Sequence, residues 1–441
     1  MNTKNYPSNF TKNKLLFLAF PIFFSNLAIP FVGIVDTGLM GNLGQTKYLA
    51  ATSIATSVMT MIIWSCGFLR MGTVGIVSQL YGKSDYREIL KTLLRNVLIA
   101  SILSIIIILT KPLIINLIES FFKTSQETIN LVNVYVSVRV FSVPAELIIY
   151  ILIGFYLGIQ KTNISSLLII VLSILNIFFS SFLVLSMNLK ILGVVLGTLA
   201  ASYITMIIFC IYTYFFIVKK FQINFNFQRL FVSSKIFKLL TINFDIFIRT
   251  IFLTFSFFWI SYLGAKLGED YLAVNAILLQ FILLSAFFLD AYAFATEGVI
   301  GYTIGRRNKK SFLLVVRNSI QLSFSTALVI SVMFLIFYKQ TINILTNIDF
   351  LRFIAYKHII WVVIIPPIAS FCYQLDGIFI GASQTKEIRN AMIFSVIIFI
   401  IISIYSTQYF NNHGLWFSLM ALMILRSVTL NYFFSKILRK F

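Results

Sequence analysis

The chain has 441 residues; 59% are hydrophobic and only 11% carry a charge, against about 25% in soluble domains. A soluble fold could not cover that much apolar surface. The net charge of +21 raises nucleic acid as a partner, but the cations sit in short segments between apolar runs, which argues against it. Cys66, Cys210 and Cys372 all lie in apolar segments, which fits reduced core residues better than a disulfide framework.

A helix needs about 20 apolar residues to cross a bilayer. Read in chain order, the sequence predicts twelve such spans, at about 15–40, 48–80, 92–118, 129–157, 162–188, 191–218, 236–264, 271–304, 314–338, 351–380, 388–409 and 413–435. Segments 162–189, 191–218 and 390–425 hold no Asp, Glu, Lys or Arg at all. The first span is expected to be retained, because no small-residue cleavage site follows it. Most Lys and Arg fall in KSDYREILKTLLR (83–95), the basic stretch 219–238, GRRNKK (305–310) and similar segments. An even number of spans then places both termini and these clusters in the cytoplasm of a bacterial cell, against anionic lipid.

The chain is written twice. A shift of 223 residues carries Pro144 to Pro367, Tyr150 to Tyr373, Gly154 to Gly377, Gly158 to Gly381 and Thr162 to Thr385. It also carries Thr73 to Thr296, Gly75 to Gly298 and Gly82 to Gly305. The shift spans six helices, so the second copy enters the membrane in the same orientation as the first. The expected fold is all-α and polytopic: two parallel six-helix bundles, 1–222 and 223–441, joined by the basic stretch. Such repeats place a substrate path at their interface and work by alternating access. The pairs Gly154/Gly158 and Gly377/Gly381 predict close helix contacts.

Ionisable residues within spans are costly, about 2.5–3.5 kcal/mol on insertion scales, and so point to function. Asp36 follows Pro21 and Pro30 in the first span. Each proline removes a helix hydrogen bond, so this helix has hinges. A carboxylate beyond a hinge changes exposure as the helix bends; burial favours its protonated form, and hydration or a nearby cation its ionised form. The competing reading is a static aspartate paired with a neighbouring Asn or Arg. Asn176 and Ser180 share one helix face, and Thr198 adds a hydroxyl. These oxygens either complete a small ion or proton site with Asp36 or are ordinary interhelical hydrogen bonds. Arg70 is placed to pair with Glu146 or to snorkel. Asp245 and Arg249, four residues apart, read as an intrahelical pair. Asp290 and Glu297 lie two turns apart on one stripe. Under the 223-residue shift Asp36 falls on Trp259, Asp376 on Ile153 and Glu297 on Val74. The acids are not duplicated, so the two bundles should do different work. No nucleotide-binding loop, dinucleotide fingerprint or His/Cys metal spacing is present. No cofactor, metal or obligate protein partner is therefore expected, and an ion gradient is the expected energy source.

The segments GIVDTGLMGNLG (33–44), FLRMGTVGIVSQLYG (68–82), NFDIFIRT (243–250), LGEDYLAVNAILLQF (267–281), LDAYAFATEGVIGYTIGRRN (289–308) and LDGIFIGASQTKEIRNAM (375–392) resemble the multidrug and toxic compound extrusion (MATE) family, in particular its DinF-like branch. The resemblance implies a twelve-helix antiporter, not an enzyme, that exports organic and often cationic compounds against inward flow of protons or sodium. It implies two lobes around a central cleft, with Asp36 as the coupling carboxylate. The family's fifth span commonly carries Asn-x-x-x-Asp; here Asn176 is followed by Ser180. Two carboxylates hold sodium well, whereas one carboxylate among neutral oxygens is a simpler proton site, so protons are the expected coupling ion. A second-lobe site built from Asp376 and Tyr373, with Asp245 and Glu297 nearby, competes with this assignment. The rival function is a flippase for a lipid or lipid-linked saccharide, which would need a strongly electropositive lining.

Overall fold

The computed structural model describes residues 10–122, 124–221 and 232–441. The expected division at 222/223 lies outside the described residues. The described residues are helical, without a strand. In chain order the helices are α1 (Lys12–Gly41), α2 (Thr46–Ser65), α3 (Phe68–Gly82), α4 (Tyr86–Leu109), α5 (Lys111–Phe121), α6 (Gln126–Arg139), α7 (Val143–Gly158), α8 (Thr162–Ser181) and α9 (Lys190–Phe221). They continue with α10 (Ser233–Leu267), α11 (Glu269–Gly305), α12 (Lys309–Leu345), α13 (Asp349–Gly381) and α14 (Thr385–Leu438). Eleven apolar helical stretches are long enough to cross a bilayer. The last has 54 residues, about 80 Å at 1.5 Å per residue, far more than one crossing needs. It breaks at Asn411, whose φ of 49° is not helical, so twelve crossings result. The protein is an all-α, multi-pass membrane protein.

The chain forms two compact units, Phe24–Leu240, and Met1–Phe23 with Thr241–Phe441. Within the first, α3 and α7 pack through glycine. A Cβ on Gly154 would lie 2.5 Å from the Arg70 carbonyl oxygen. Within the second, α11 and α13 pack the same way, and a Cβ on Gly381 would lie 2.4 Å from the Glu297 carbonyl oxygen.

The repeat is visible in the backbone as well. Ser84, Gln160 and Asn188 have positive φ, and so do Arg307, Ser383 and Asn411, each 223 residues later. Four of the six follow helix ends, where a left-handed residue closes the last turn. Asp85 and Asn308 then start α4 and α12, accepting from the backbone N–H of Glu88 and Ser311. One difference between the halves matters below. α13 runs through Pro366 and Pro367 without a break. In the first half, α6 stops at Arg139, a 3₁₀ turn covers Val140–Ser142, and α7 begins with Pro144 in its first turn.

Candidate functional site

Asp36 sits near the C-terminal end of α1, which runs as one helix through Pro21 and Pro30. Its side chain is part-buried, and its Oδ1 is sealed from solvent with no hydrogen-bond partner among the described residues. Polar groups that act on this carboxylate include the Ser180 hydroxyl, the Arg139 guanidinium and the Tyr135 hydroxyl. An acid with one oxygen left in this way is lightly held by the standard of buried charges.

Ser180 belongs to a network between α8 and α9. Its hydroxyl donates to Asn176 Oδ1 at 3.4 Å, and Asn176 Nδ2 donates to Thr198 Oγ1 at 3.1 Å. Thr198 in turn donates to the Val194 carbonyl at 3.0 Å. The helices approach this closely because Gly197 faces Ser180; a Cβ there would lie 2.5 Å from the Ser180 backbone nitrogen. The structure thus brings Asp36, Ser180, Asn176 and Thr198 together, three neutral groups and one acid.

Sequence reasoning missed the neighbours of this network. Arg139, the last residue of α6, reaches across the 3₁₀ turn to Glu146 in the first turn of α7. The pair is bidentate, and one nitrogen also meets Ser142. The Ser202 hydroxyl on α9 lies 2.9 Å from the Thr198 carbonyl oxygen and 3.5 Å from Glu146 Oε1, two acceptors for its one proton. Buried Tyr135 interacts with Arg139 and Asp36 and shares a 3.3 Å hydrogen bond with Thr56. Of the two expectations for Arg70, pairing with Glu146 or snorkelling, the first is corrected, because Arg139 occupies the Glu146 carboxylate. The available signal was the seven-residue spacing of Arg139 and Glu146, two turns apart on one helical stripe.

The second unit places its acids differently. Asp376 Oδ2 accepts from both Arg249 and Arg426, the latter at 2.6 Å, and all three residues are buried. Asp376 Oδ1 has no hydrogen-bond partner among the described residues. Asp245 accepts from Arg389 at 2.5 Å and from Thr385 Oγ1 at 2.9 Å. The expected intrahelical pair of Asp245 with Arg249 is therefore replaced by two separate ion pairs reaching α13 and α14. Tyr373 lies three residues before Asp376 on α13, and Glu297 is buried on α11.

These features are those of a duplicated membrane transporter with a single lightly held acid in its first half. The MatE family model matches residues 21–182 and 246–405, one segment in each half, and the chain belongs to the MATE family, in its DinF-like branch. DNA damage-inducible protein F of Escherichia coli (strain K12) is 32% identical over 413 residues, covering 94% of this chain and 90% of that one. A probable multidrug resistance protein NorM of Photorhabdus laumondii is 24% identical, covering 86% of this chain and 84% of that one. A solved structure described as the outward-facing conformation of a multidrug resistance MATE family transporter of the MOP superfamily superposes with a TM-score of 0.87. It does so at 18% identity, over 97% of this chain and 96% of that one.

Proposed function

We propose that the protein is a secondary active antiporter of the bacterial cytoplasmic membrane, with both termini in the cytoplasm. It exports organic, often cationic or amphiphilic compounds by alternating access. The coupling ion is the proton rather than sodium, and no cofactor or protein partner is needed because the gradient supplies the energy. One observation carries this reading: one oxygen of the Asp36 carboxylate is sealed from solvent with no hydrogen-bond partner among the described residues. Such a group gains a ligand by taking a proton or by meeting a cation. Sodium is the poorer candidate, because Ser180 stands where the family's fifth span commonly carries a second carboxylate. Protonation neutralises Asp36 and favours one bend of α1 at Pro21 and Pro30; ionisation favours the other and admits a cationic substrate. Asn176, Ser180 and Thr198 hold the acid in place. A ligand can drive such a cycle only if its affinity differs between the two states.

The flippase reading expects uncompensated buried cations. Buried Arg249 and Arg426 engage Asp376 and half-buried Arg139 engages Glu146, so these cations are compensated, which favours the antiporter.

The test uses purified protein in liposomes, following efflux of ethidium driven by a pH gradient alone and then by a sodium gradient alone. The expected result is pH-driven export by the wild type, abolished in Asp36→Asn while dye binding survives. Export driven by sodium alone, or a coupled Asp36→Asn, would move attention to Asp376, Tyr373, Glu297 and Asp245.

A further inference from the structure

We propose that Asn318 is a positioning residue for the coupling acid: it anchors the start of α1, so that a bend of α1 is delivered to Asp36 and is not lost at a loose helix end. The inference rests on the antiporter reading above and extends it to a residue of the other half of the chain.

Three observations support it. The first is where α1 begins and ends. Met1–Phe23 belongs to the unit that holds Thr241–Phe441, and Phe24 onward belongs to the other unit, yet Lys12–Gly41 is one continuous helix. Asp36 lies about 18 Å beyond that crossing at 1.5 Å per residue. Burial changes along the helix accordingly. Leu15, Leu18, Ala19 and Ile22 are buried at helical spacing, whereas Ile29, Phe31 and Ile34 are exposed.

The second observation is the anchor itself. Asn318 on α12 is buried, and its Nδ2 donates at 2.9 Å to the carbonyl oxygen of Phe10, just ahead of α1. Phe10 is also buried, and its ring meets Tyr302 edge-on at 6.1 Å. At the other end of the docked stretch Phe23 packs against Tyr292 at 5.2 Å and Phe288 at 5.6 Å. Pro30 lies between the crossing and Asp36 and lacks the N–H that would stiffen the helix there. A helix bent at such a point swings one end only when the other is held.

The third is the repeat. The 223-residue shift carries Arg95 to Asn318 and Lys12 to Lys235. In the first unit Glu88 on α4 accepts from Arg95 at 2.6 Å and from Lys235, in the first turn of α10, at 2.9 Å. α10 crosses as α1 does: it belongs to the first unit through Leu240 and to the second from Thr241. The starts of α4 and α12 thus each hold the start of the other half's first helix, by ion pairs in one case and by an amide in the other. Only α1 carries an acid; α10 has Trp259 at the position of Asp36.

The experiment measures ethidium exported per proton taken up by proteoliposomes under a pH gradient, for the wild type, Asn318→Leu and Lys235→Gln. Asn318→Leu removes the donor at similar size and should lower the ratio severalfold. Ethidium binding to the solubilised variant should stay at the wild-type level, because Asp36, Ser180, Asn176 and Thr198 all lie in the first unit. Lys235→Gln loosens the helix that carries no acid and should keep the wild-type ratio. A second arm replaces Cys66, Cys210 and Cys372 by alanine and introduces Phe10→Cys with Asn318→Cys. The ratio should be low before treatment with a short bifunctional thiol reagent and restored after it, which a misfolded variant would not show. Three results would overturn the proposal: a wild-type ratio in Asn318→Leu, an equal loss in Lys235→Gln, or a cross-linked protein that no longer exports. If the wild type shows no pH-driven efflux, the antiporter reading itself falls; if the wild type is coupled, only the anchor is at stake.

Discussion

Asp36 and Trp259 are repeat partners, and so are Ser180 and Ser403. In the first half a carboxylate faces a serine hydroxyl; in the second an indole N–H donates to the equivalent serine, Trp259 Nε1 to Ser403 Oγ at 2.9 Å. The contact survives and its chemistry changes. Asn176 corresponds to Phe399, which is fully buried, and Thr198 to Ala421. What is a polar network in one half is therefore apolar core in the other. The second half is packed without polar groups at the positions of Asn176 and Thr198, so the network is a feature of the first half alone. The second half has its own buried acid, Asp376, but two guanidiniums share one of its oxygens. An acid clamped in this way serves to balance charge, whereas Asp36 keeps one oxygen without a hydrogen-bond partner among the described residues.

The largest break in this contrast is expected from Asp376→Asn. It leaves Arg249 and Arg426 buried without their shared counter-ion, a loss of about 3–5 kcal/mol by analogy with broken buried pairs. Thermal unfolding in detergent should fall sharply, whereas Asp36→Asn, which removes a lightly held charge, should unfold close to the wild type. Equal destabilisation by the two would erase the distinction between clamp and exchange site.

Gly197→Ala comes next. The added Cβ meets the Ser180 backbone at 2.5 Å, so α8 and α9 must separate, at about 1–3 kcal/mol for an overpacked contact. Because Ser180 moves with α8, pH-driven efflux should weaken more than stability alone accounts for, and comparing the Tm change with the efflux rate checks this. Asn176→Ala removes one neutral link, worth about 1 kcal/mol, and should lower the efflux rate while keeping pH dependence. Trp259→Phe loses one hydrogen bond, about 1 kcal/mol, and should leave coupling untouched. A Trp259→Phe variant that uncouples transport would place function in both halves.

Much of this was legible in the sequence. Span lengths and the 223-residue shift follow from hydropathy and from glycine and proline positions, and the backbone repeats them down to its left-handed residues. Asn176 and Ser180 could be placed on one face by spacing, and family resemblance joined them to Asp36. Partner choice among buried charges was not legible. Asp245 and Arg249 have the spacing of an intrahelical pair, yet each finds a better partner on another helix, because buried charges follow tertiary proximity. Arg139 and Glu146 are seven residues apart, two turns on one stripe, as are Glu88 and Arg95, which pair within unbroken α4. The double proline of α13 leaves its helix unbroken, whereas Pro144 follows a 3₁₀ turn, so proline alone does not predict a helix break.

The central claim is that Asp36 gives up a proton when substrate binds. Its most direct test is proton release on adding ethidium to the detergent-solubilised protein in weakly buffered solution, read with a pH indicator. The account predicts release of about one proton per bound dye near the binding midpoint, by linkage, and none from Asp36→Asn. Equal release from both proteins, or none from the wild type while sodium weakens dye binding, would contradict it.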